Sequence, residues 1–400
     1  MDPTKLAIAQ SPLQKEGKGD SSGLAKRDET GNTSQPHSPG ERRFDRRAFL
    51  ATMAALVGAP AWAAAASRES GAAVRLAATW QAGNGYQLGV LEYAEGLAIR
   101  SVLDIPTRAH GLLAEPAGTL LAVARRPGDW LLRWNREGRA LAWRWIEPRR
   151  AFAGHLQASG DGRTVLTTEL DLDTGMGLIG VRDAATLEKR DEWPTHGMDP
   201  HMLVWDATRP GSLIVANGGV PTLPETGRLK RDLHRMDSFI ARMDAATGEL
   251  LGQWRLDDPR LSLRHMAWNG RRGKPLLGIA LQAEHDDAVA KSQAPVLALF
   301  DGQVLGALEA PVPLAGYGGS IAPLGDGFAV GCPRSQGVAV FGASGFRTLV
   351  SLEEACPIVS AHGQLWAGGR GRLLSLAPDA TPAGTGELNG IRLDNHWIAI

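Results

Sequence analysis

Five histidines stand before short apolar runs that resemble one another. His110 opens His-Gly-Leu-Leu-Ala, His155 opens His-Leu-Gln-Ala-Ser and His201 opens His-Met-Leu-Val-Trp. His265 opens His-Met-Ala-Trp, and His396 opens His-Trp-Ile-Ala-Ile. Aligning the turns that follow adds two further heads, Ser320 and Cys356, because Gly327 and Gly363 trail them as Gly162 trails His155. Neutral imidazole is the commonest metal ligand among side chains. A repeat that returns imidazole to equivalent positions can gather several of them around one point. Five imidazoles with the Cys356 thiolate make a donor set suited to copper, zinc or iron, and haem is a further reading. Glu169 and Gln282 are the polar residues expected to orient such ligands from outside.

The elements that must hold these residues follow from the pattern around His155. Gly154 to Leu166 reads as a short strand, a tight Gly160-Asp161-Gly162 turn and a second short strand. The spacing from His155 to His201 is 46 residues, and self-similarity at about that period indicates propellers or solenoids. Leu76–Trp80, Gln87–Tyr93 and Leu97–Leu103 read as three strands without a head, by alternation of apolar and polar positions. His396 to Ile400 is a head strand with nothing after it. Circular closure reconciles the two, and it removes the open sheet edges of an unclosed array. The expected fold is an all-β, seven-bladed propeller with four-stranded blades, closed by the C-terminal strand completing the first blade. The remaining blades are expected from His110, His155, His201, His265, Ser320 and Cys356. The interval from His201 to His265 is 64 residues, so blade four carries an insertion at Pro221 to Ser238. No helix-period segment or phosphate-binding loop is read.

In such a blade the head and the end of the second strand share one face, called the top here. The second-strand ends are Trp80, Arg125, Glu169, Asn217, Gln282, Cys332 and the Gly369-Arg370 pair. With Arg126, Arg228, Lys230, Arg264 and Arg334 they make a cationic rim suited to a carboxylate-rich ligand or an acidic partner. A solvated rim is the plainer reading for each cation. A structural reading also stands for the histidines: in WD-type repeats a histidine at this corner hydrogen-bonds within its blade and locks the turn. Cys332 and Cys356 open onto the same face of adjacent blades, each before a proline. A disulfide between them is one expectation in an oxidising compartment, and two free thiols the other.

Composition narrows the partners. Lys+Arg and Asp+Glu balance at 43 each, so no net charge draws the chain to nucleic acid or an anionic membrane. Two cysteines exclude a disulfide-dense scaffold. Residues 1–41 have few large apolar groups and read as a disordered extension. Residues 42–66 carry Arg46-Arg47, Phe49-Leu50 and an uncharged run ending in small residues, which reads as a twin-arginine export signal. The run is too short for a comfortable membrane span. The propeller is expected over residues 74–400, in the periplasm and monomeric, with no stable membrane span after cleavage.

Several local motifs together resemble a family. They are Arg46-Arg47, Asp161-Gly162-Arg163 leading into Thr167-Thr168-Glu169, Asp199-Pro200-His201, Ala216-Asn217-Gly218-Gly219 and Gly227-Arg228. Leu263-Arg264-His265 and Gly331-Cys332-Pro333-Arg334 complete the set. The chain resembles the domain-of-unknown-function fifteen-thirteen family of exported seven-bladed propellers. The resemblance implies His at Leu223 and Asn at Asp232, where this chain departs. It also implies an association with imelysin-like periplasmic proteins linked to iron, but no reaction. The expected function is non-catalytic binding of a ligand, a metal or a periplasmic protein partner on the top face, within iron or haem handling. Metal would be held by His110, His155, His201, His265, His396 and Cys356. Arg125, Glu169, Asn217, Arg228, Arg264, Gln282, Arg334 and Arg370 would contact a ligand or partner. Two alternatives are a metal-dependent oxidoreductase using the same ring, with Glu169 as proton acceptor, and a pure protein-protein scaffold.

Overall fold

The computed structural model describes residues 73–221, 230, 232–270 and 273–400. The expected extension at 1–41, the export signal at 42–66, Leu223 and Arg228 lie outside them. The described chain forms seven antiparallel sheets of four strands. Blade one contains β1 (Val74–Ala82), β2 (Gly85–Tyr93) and β3 (Leu97–Ile105), with β28 (Ile391–Ala399) as its innermost strand. The C-terminal strand therefore closes the ring against β1, with Leu76 opposite Ala399 and Ala82 opposite Ile391.

The innermost strands of blades two to five are β4 (Ala109–Ala114), β8 (Arg150–Ala158), β12 (Pro200–Trp205) and β16 (Leu261–Asn269). Those of blades six and seven are β20 (Ser320–Leu324) and β24 (Ile358–Ala361). The second strands that pair with them are β5 (Leu120–Ala124), β9 (Thr164–Asp171), β13 (Ser212–Asn217), β17 (Leu276–Ala283), β21 (Gly327–Cys332) and β25 (Gln364–Gly368). These second strands are buried on both faces. Leu120, Leu121, Ala122, Val123 and Ala124 of β5 are all nearly inaccessible, which explains their continuous apolar runs.

Apolar side chains fill the spaces between blades. Ile214, Ile240, Leu263, Leu277, Ile279 and Phe300 pack between blades four and five. Leu88, Ala122, Trp130, Leu132 and Trp134 do so between blades one and two. One element departs from the sequence reading. Ala288–Gln293, here α1, is a short helix in the loop after β17, capped where the Asp287 side chain accepts from the Ala290 amide at 2.7 Å. Six residues are too few for a period to show in the sequence. The blade-four insertion leaves β13 and returns at β14 (Phe239–Asp244), as its position implied. No helix among the described residues is long and apolar enough to cross a membrane.

Candidate metal centre

The head histidines lie inside their strands, each at an irregularity in the pairing. Between Ala109 and Leu112 of β4 the register slips against β5. The same happens between Phe152 and Leu156 of β8, Pro200 and Met202 of β12, and Leu263 and Met266 of β16. On β28 the slip falls opposite Ala78 to Trp80, where Asp394, Asn395 and His396 are the unpaired residues. The other two heads have no such feature: β20 pairs with β21 without interruption from Ser320 to Leu324. A bulge adds unpaired residue and re-aims its side chain. Regular alternation would send these side chains between blades; the bulges turn five imidazoles towards a common centre.

The rings converge closely. His201 and His265 have centroids 4.4 Å apart, as do His265 and His396. His110 lies 4.8 Å from His155 and 4.6 Å from His396. Ligand nitrogens of His110, His155, His265 and His396 all fall within 4.8 Å of one another. Imidazole nitrogens bind zinc at about 2.0–2.1 Å, so a tetrahedral set needs them about 3.3 Å apart. To enclose one ion the four nitrogens must draw together by up to about 1.5 Å.

Burial fixes the protonation state. Desolvation holds all five imidazoles well below the usual histidine range, with repulsion from neighbouring histidines and arginines adding to it at most of them. His396 is pushed down to about 3. All five are therefore neutral at ordinary pH, the form that binds metals. A neutral imidazole carries one N–H and one lone pair, and the cluster cannot satisfy both on every ring. Arg264 Nη1 lies 3.5 Å from His201 Nδ1. A guanidinium only donates, so this nitrogen accepts and the His201 proton sits on Nε2. His201 Nε2 is 2.8 Å from His265 Nε2, and His396 Nε2 approaches the same atom at 2.9 Å. One lone pair cannot serve both well. His110 Nδ1, His155 Nε2 and His265 Nδ1 are buried with no hydrogen-bond partner. Unpaired buried polar atoms are rare and costly, and here three of them belong to one cluster. Among the described residues, none of the five rings hydrogen-bonds to the backbone of its blade, as the turn-locking role requires. His201, with its tautomer set by Arg264, stands outside the converging four.

The space above the rings is cationic. A cavity of about 20 Å³ is lined by His110, His201, His265, Arg125, Arg264 and Gln282, among others. The Arg264 side chain is 1% exposed and donates from Nη1 to Asp199 Oδ2 at 2.7 Å. Arg126 forms an ion pair with the other oxygen of Asp199. Tyr317 and Asn395 line this cavity and also a larger one, of about 450 Å³, on the same side of the ring.

Other expected site residues lie elsewhere. Glu169 is fully buried but engaged by Arg182 Nη2 at 2.7 Å and Lys189 Nζ at 2.9 Å. Both of its oxygens are held in these ion pairs, and it does not orient the histidines. Its neighbour Thr168 is the residue that meets the cluster, its hydroxyl accepting from the His155 amide at 3.1 Å. Cys356 does not join the imidazoles; it lines the larger cavity, and burial pushes its thiol up to about 12. Cys332 and Cys356 are free thiols, the second of the two alternatives. Asn217 donates to the Thr195 carbonyl at 2.9 Å, away from the rings. Arg334 covers the Tyr317 ring at 4.4 Å, and Arg370 lies at the exposed rim beside Glu353. The haem reading does not fit the cluster, because nine of its ring pairs lie between 4.4 and 5.8 Å and leave no slot for a macrocycle. Asp199, Tyr317 and Asn395 were the residues the sequence reading left out of the site. Only the Asp199-Pro200-His201 motif hinted at the first.

Fold and centre together define a closed seven-bladed β-propeller with a buried cluster of neutral imidazoles in its channel. The family model described as "Protein of unknown function (DUF1513)" matches residues 103–400, and the chain belongs to that family. All five histidines fall within the match. No curated protein matches the chain. Among solved structures, Kuenenia stuttgartiensis hydrazine synthase is similar with a TM-score of 0.54 at 12% identity, covering 71% of this chain and 89% of that one. A nidogen/laminin complex is similar at a TM-score of 0.44 and 11% identity, covering 82% and 97%. At such identities the likeness to hydrazine synthase concerns the fold alone.

Proposed function

We propose that this propeller is a transition-metal-binding protein that holds one ion in its channel. His110, His155, His265 and His396 are the ligands, and His201 supports them from the side. The observation that carries this reading is the convergence of neutral imidazoles, three of which hold a buried ring nitrogen with no hydrogen-bond partner. Among divalent first-row metals an imidazole set favours copper most strongly, by the general affinity order, with zinc, nickel and iron below it. The absence of carboxylate and carbonyl oxygen from the converging set argues against a calcium or magnesium site. We place the protein in the periplasm, reached by twin-arginine export, where a folded propeller can arrive already loaded. A role in iron handling accords with the same centre.

The test is copper and zinc titration of the purified, folded protein. We expect one equivalent to bind, and His155→Ala/His265→Ala to bind at least a hundredfold more weakly. His201→Ala should weaken binding far less than loss of any of the four. A folded protein that takes up no stoichiometric copper, zinc, nickel or iron would overturn the reading. The second reading, a metal-dependent oxidoreductase, is favoured by the cavity that reaches the rings, but Glu169 does not line that cavity.

A further inference from the structure

Arg264 is charged, 1% exposed at its side chain, and under-used. One of its nitrogens serves Asp199, but Nε and Nη2 are buried with no hydrogen-bond partner. A buried guanidinium with two idle donors is costly unless something accepts from them. The same side chain lines the small cavity against His110, His201 and His265, with Arg125 and Gln282 across it. The carboxylate that Arg264 pairs with, Asp199, is already shared with Arg126, and Glu284, which also acts on Arg264, is paired with Lys230. The cavity thus carries an excess of positive charge and of donors. Its volume of about 20 Å³ exceeds the space one water requires, roughly 10–15 Å³, by little.

We propose that this cavity is a binding site for a small anion of two or three heavy atoms, such as a carboxylate or oxyanion of formate size. The anion accepts from Arg264 Nε and Nη2 and faces the histidine centre. The proposal rests on the metal reading only for what the anion faces; the charge and the idle donors stand without it. A guanidinium presents paired N–H groups in a planar fork that matches a carboxylate, and charge-assisted pairs of this kind are strong. Tyr317 and Asn395, which line both cavities, mark the route from the larger cavity. A cavity of about 20 Å³ excludes bulky acids. The class of ligand is therefore set by size as well as by charge: formate, nitrite and azide fit, and benzoate does not.

The test uses the full-length protein with formate and azide as probes. Formate should raise the thermal midpoint of the metal-free protein, and benzoate at equal concentration should not. On copper-loaded protein, azide should produce a new charge-transfer absorption that saturates. Arg264→Gln, compared at equal copper occupancy, should weaken both responses at least tenfold. Should Arg264→Gln fail to fold, Gln282→Leu and Arg125→Gln serve instead, each weakening formate binding severalfold. Copper uptake with azide and formate responses unchanged in the Arg264 variant would overturn the anion site and leave the metal reading standing. Formate stabilisation lost in Arg264→Gln, in a protein that binds no metal, would uphold the anion site and overturn the metal reading. Equal responses to formate and benzoate would overturn the size limit and the site with it.

Discussion

A buried imidazole makes stability depend on pH. All five rings of the cluster have their proton affinity lowered by burial, His396 to about 3. In the unfolded chain each returns to about 6.5. Above that pH neither state holds the proton and stability is unaffected. Below it the unfolded chain takes up protons that the folded chain refuses, so stability is lost as pH falls, down to about 3 for His396. The slope is about 1.4 kcal/mol per pH unit for each fully shifted histidine. The urea midpoint of metal-free protein should be flat from pH 8 to 7 and fall steadily below 6.5. A profile flat to pH 5 would show that the rings are hydrated. Glu169 supplies a second prediction at this scale. It is fully buried against Arg182, itself 1% exposed. Glu169→Gln should cost about 3 kcal/mol of unfolding free energy, read from urea denaturation, while copper stoichiometry stays at that of the parent protein. Loss of copper binding in a folded Glu169→Gln variant would return this residue to the centre.

The bulge is the element that turns a propeller strand into a ligand-bearing strand. Gly154 shows why its backbone is exacting. It has φ of +109°, and a Cβ there would sit 2.7 Å from Cδ2 of His110. Both the conformation and the closeness call for glycine. Gly154→Ala should displace the His110 ring and the β8 bulge without removing any ligand. Copper affinity, measured by competition with a chelator, is expected to drop tenfold or more, with a smaller loss in thermal midpoint. Unchanged affinity would mean that the His110 ring is not held in place by this contact. Heads were readable from the sequence because strand–turn–strand repeats preserve their offsets. The bulges were not, because one or two extra residues in a strand leave the apolar alternation on either side intact. Glu169 was misplaced for a related reason: β9 runs on to Asp171, so Glu169 lies within the strand and its side chain follows the pleat away from the channel.

At the scale of the whole molecule, closure and the metal centre are one structure. β28 completes blade one and brings His396 beside His265, although 131 positions separate them. Its Asp394 also forms an ion pair with Arg108 of the second blade's entry. A chain truncated after Asn389 would lose the closing strand, a ligand and that ion pair, and would expose the edge of β1. Such an edge is a template for pairing with other chains. The truncated chain is expected to aggregate, or to unfold cooperatively at a much lower temperature, by sedimentation and circular dichroism. A monomer of unchanged thermal midpoint would show that closure contributes little.

What the sequence determined by itself was the repeat: seven units, their turns, their apolar inner strands and the need for the last strand to pair with the first. These follow from local chemistry, from glycine at turns and alternation along strands, and local chemistry is written in order along the chain. It also marked His110, His155, His201, His265 and His396 as equivalent. Only the tertiary structure decided that the five meet. Equivalence in a repeat places side chains at one height, but the direction of each depends on its bulge and on the radius of the ring. The same holds for Cys356, equivalent by offset yet turned to a different cavity, and for the pairing of Asp199 with both Arg126 and Arg264. Those contacts join separate blades, and only closure of the ring brings them within reach.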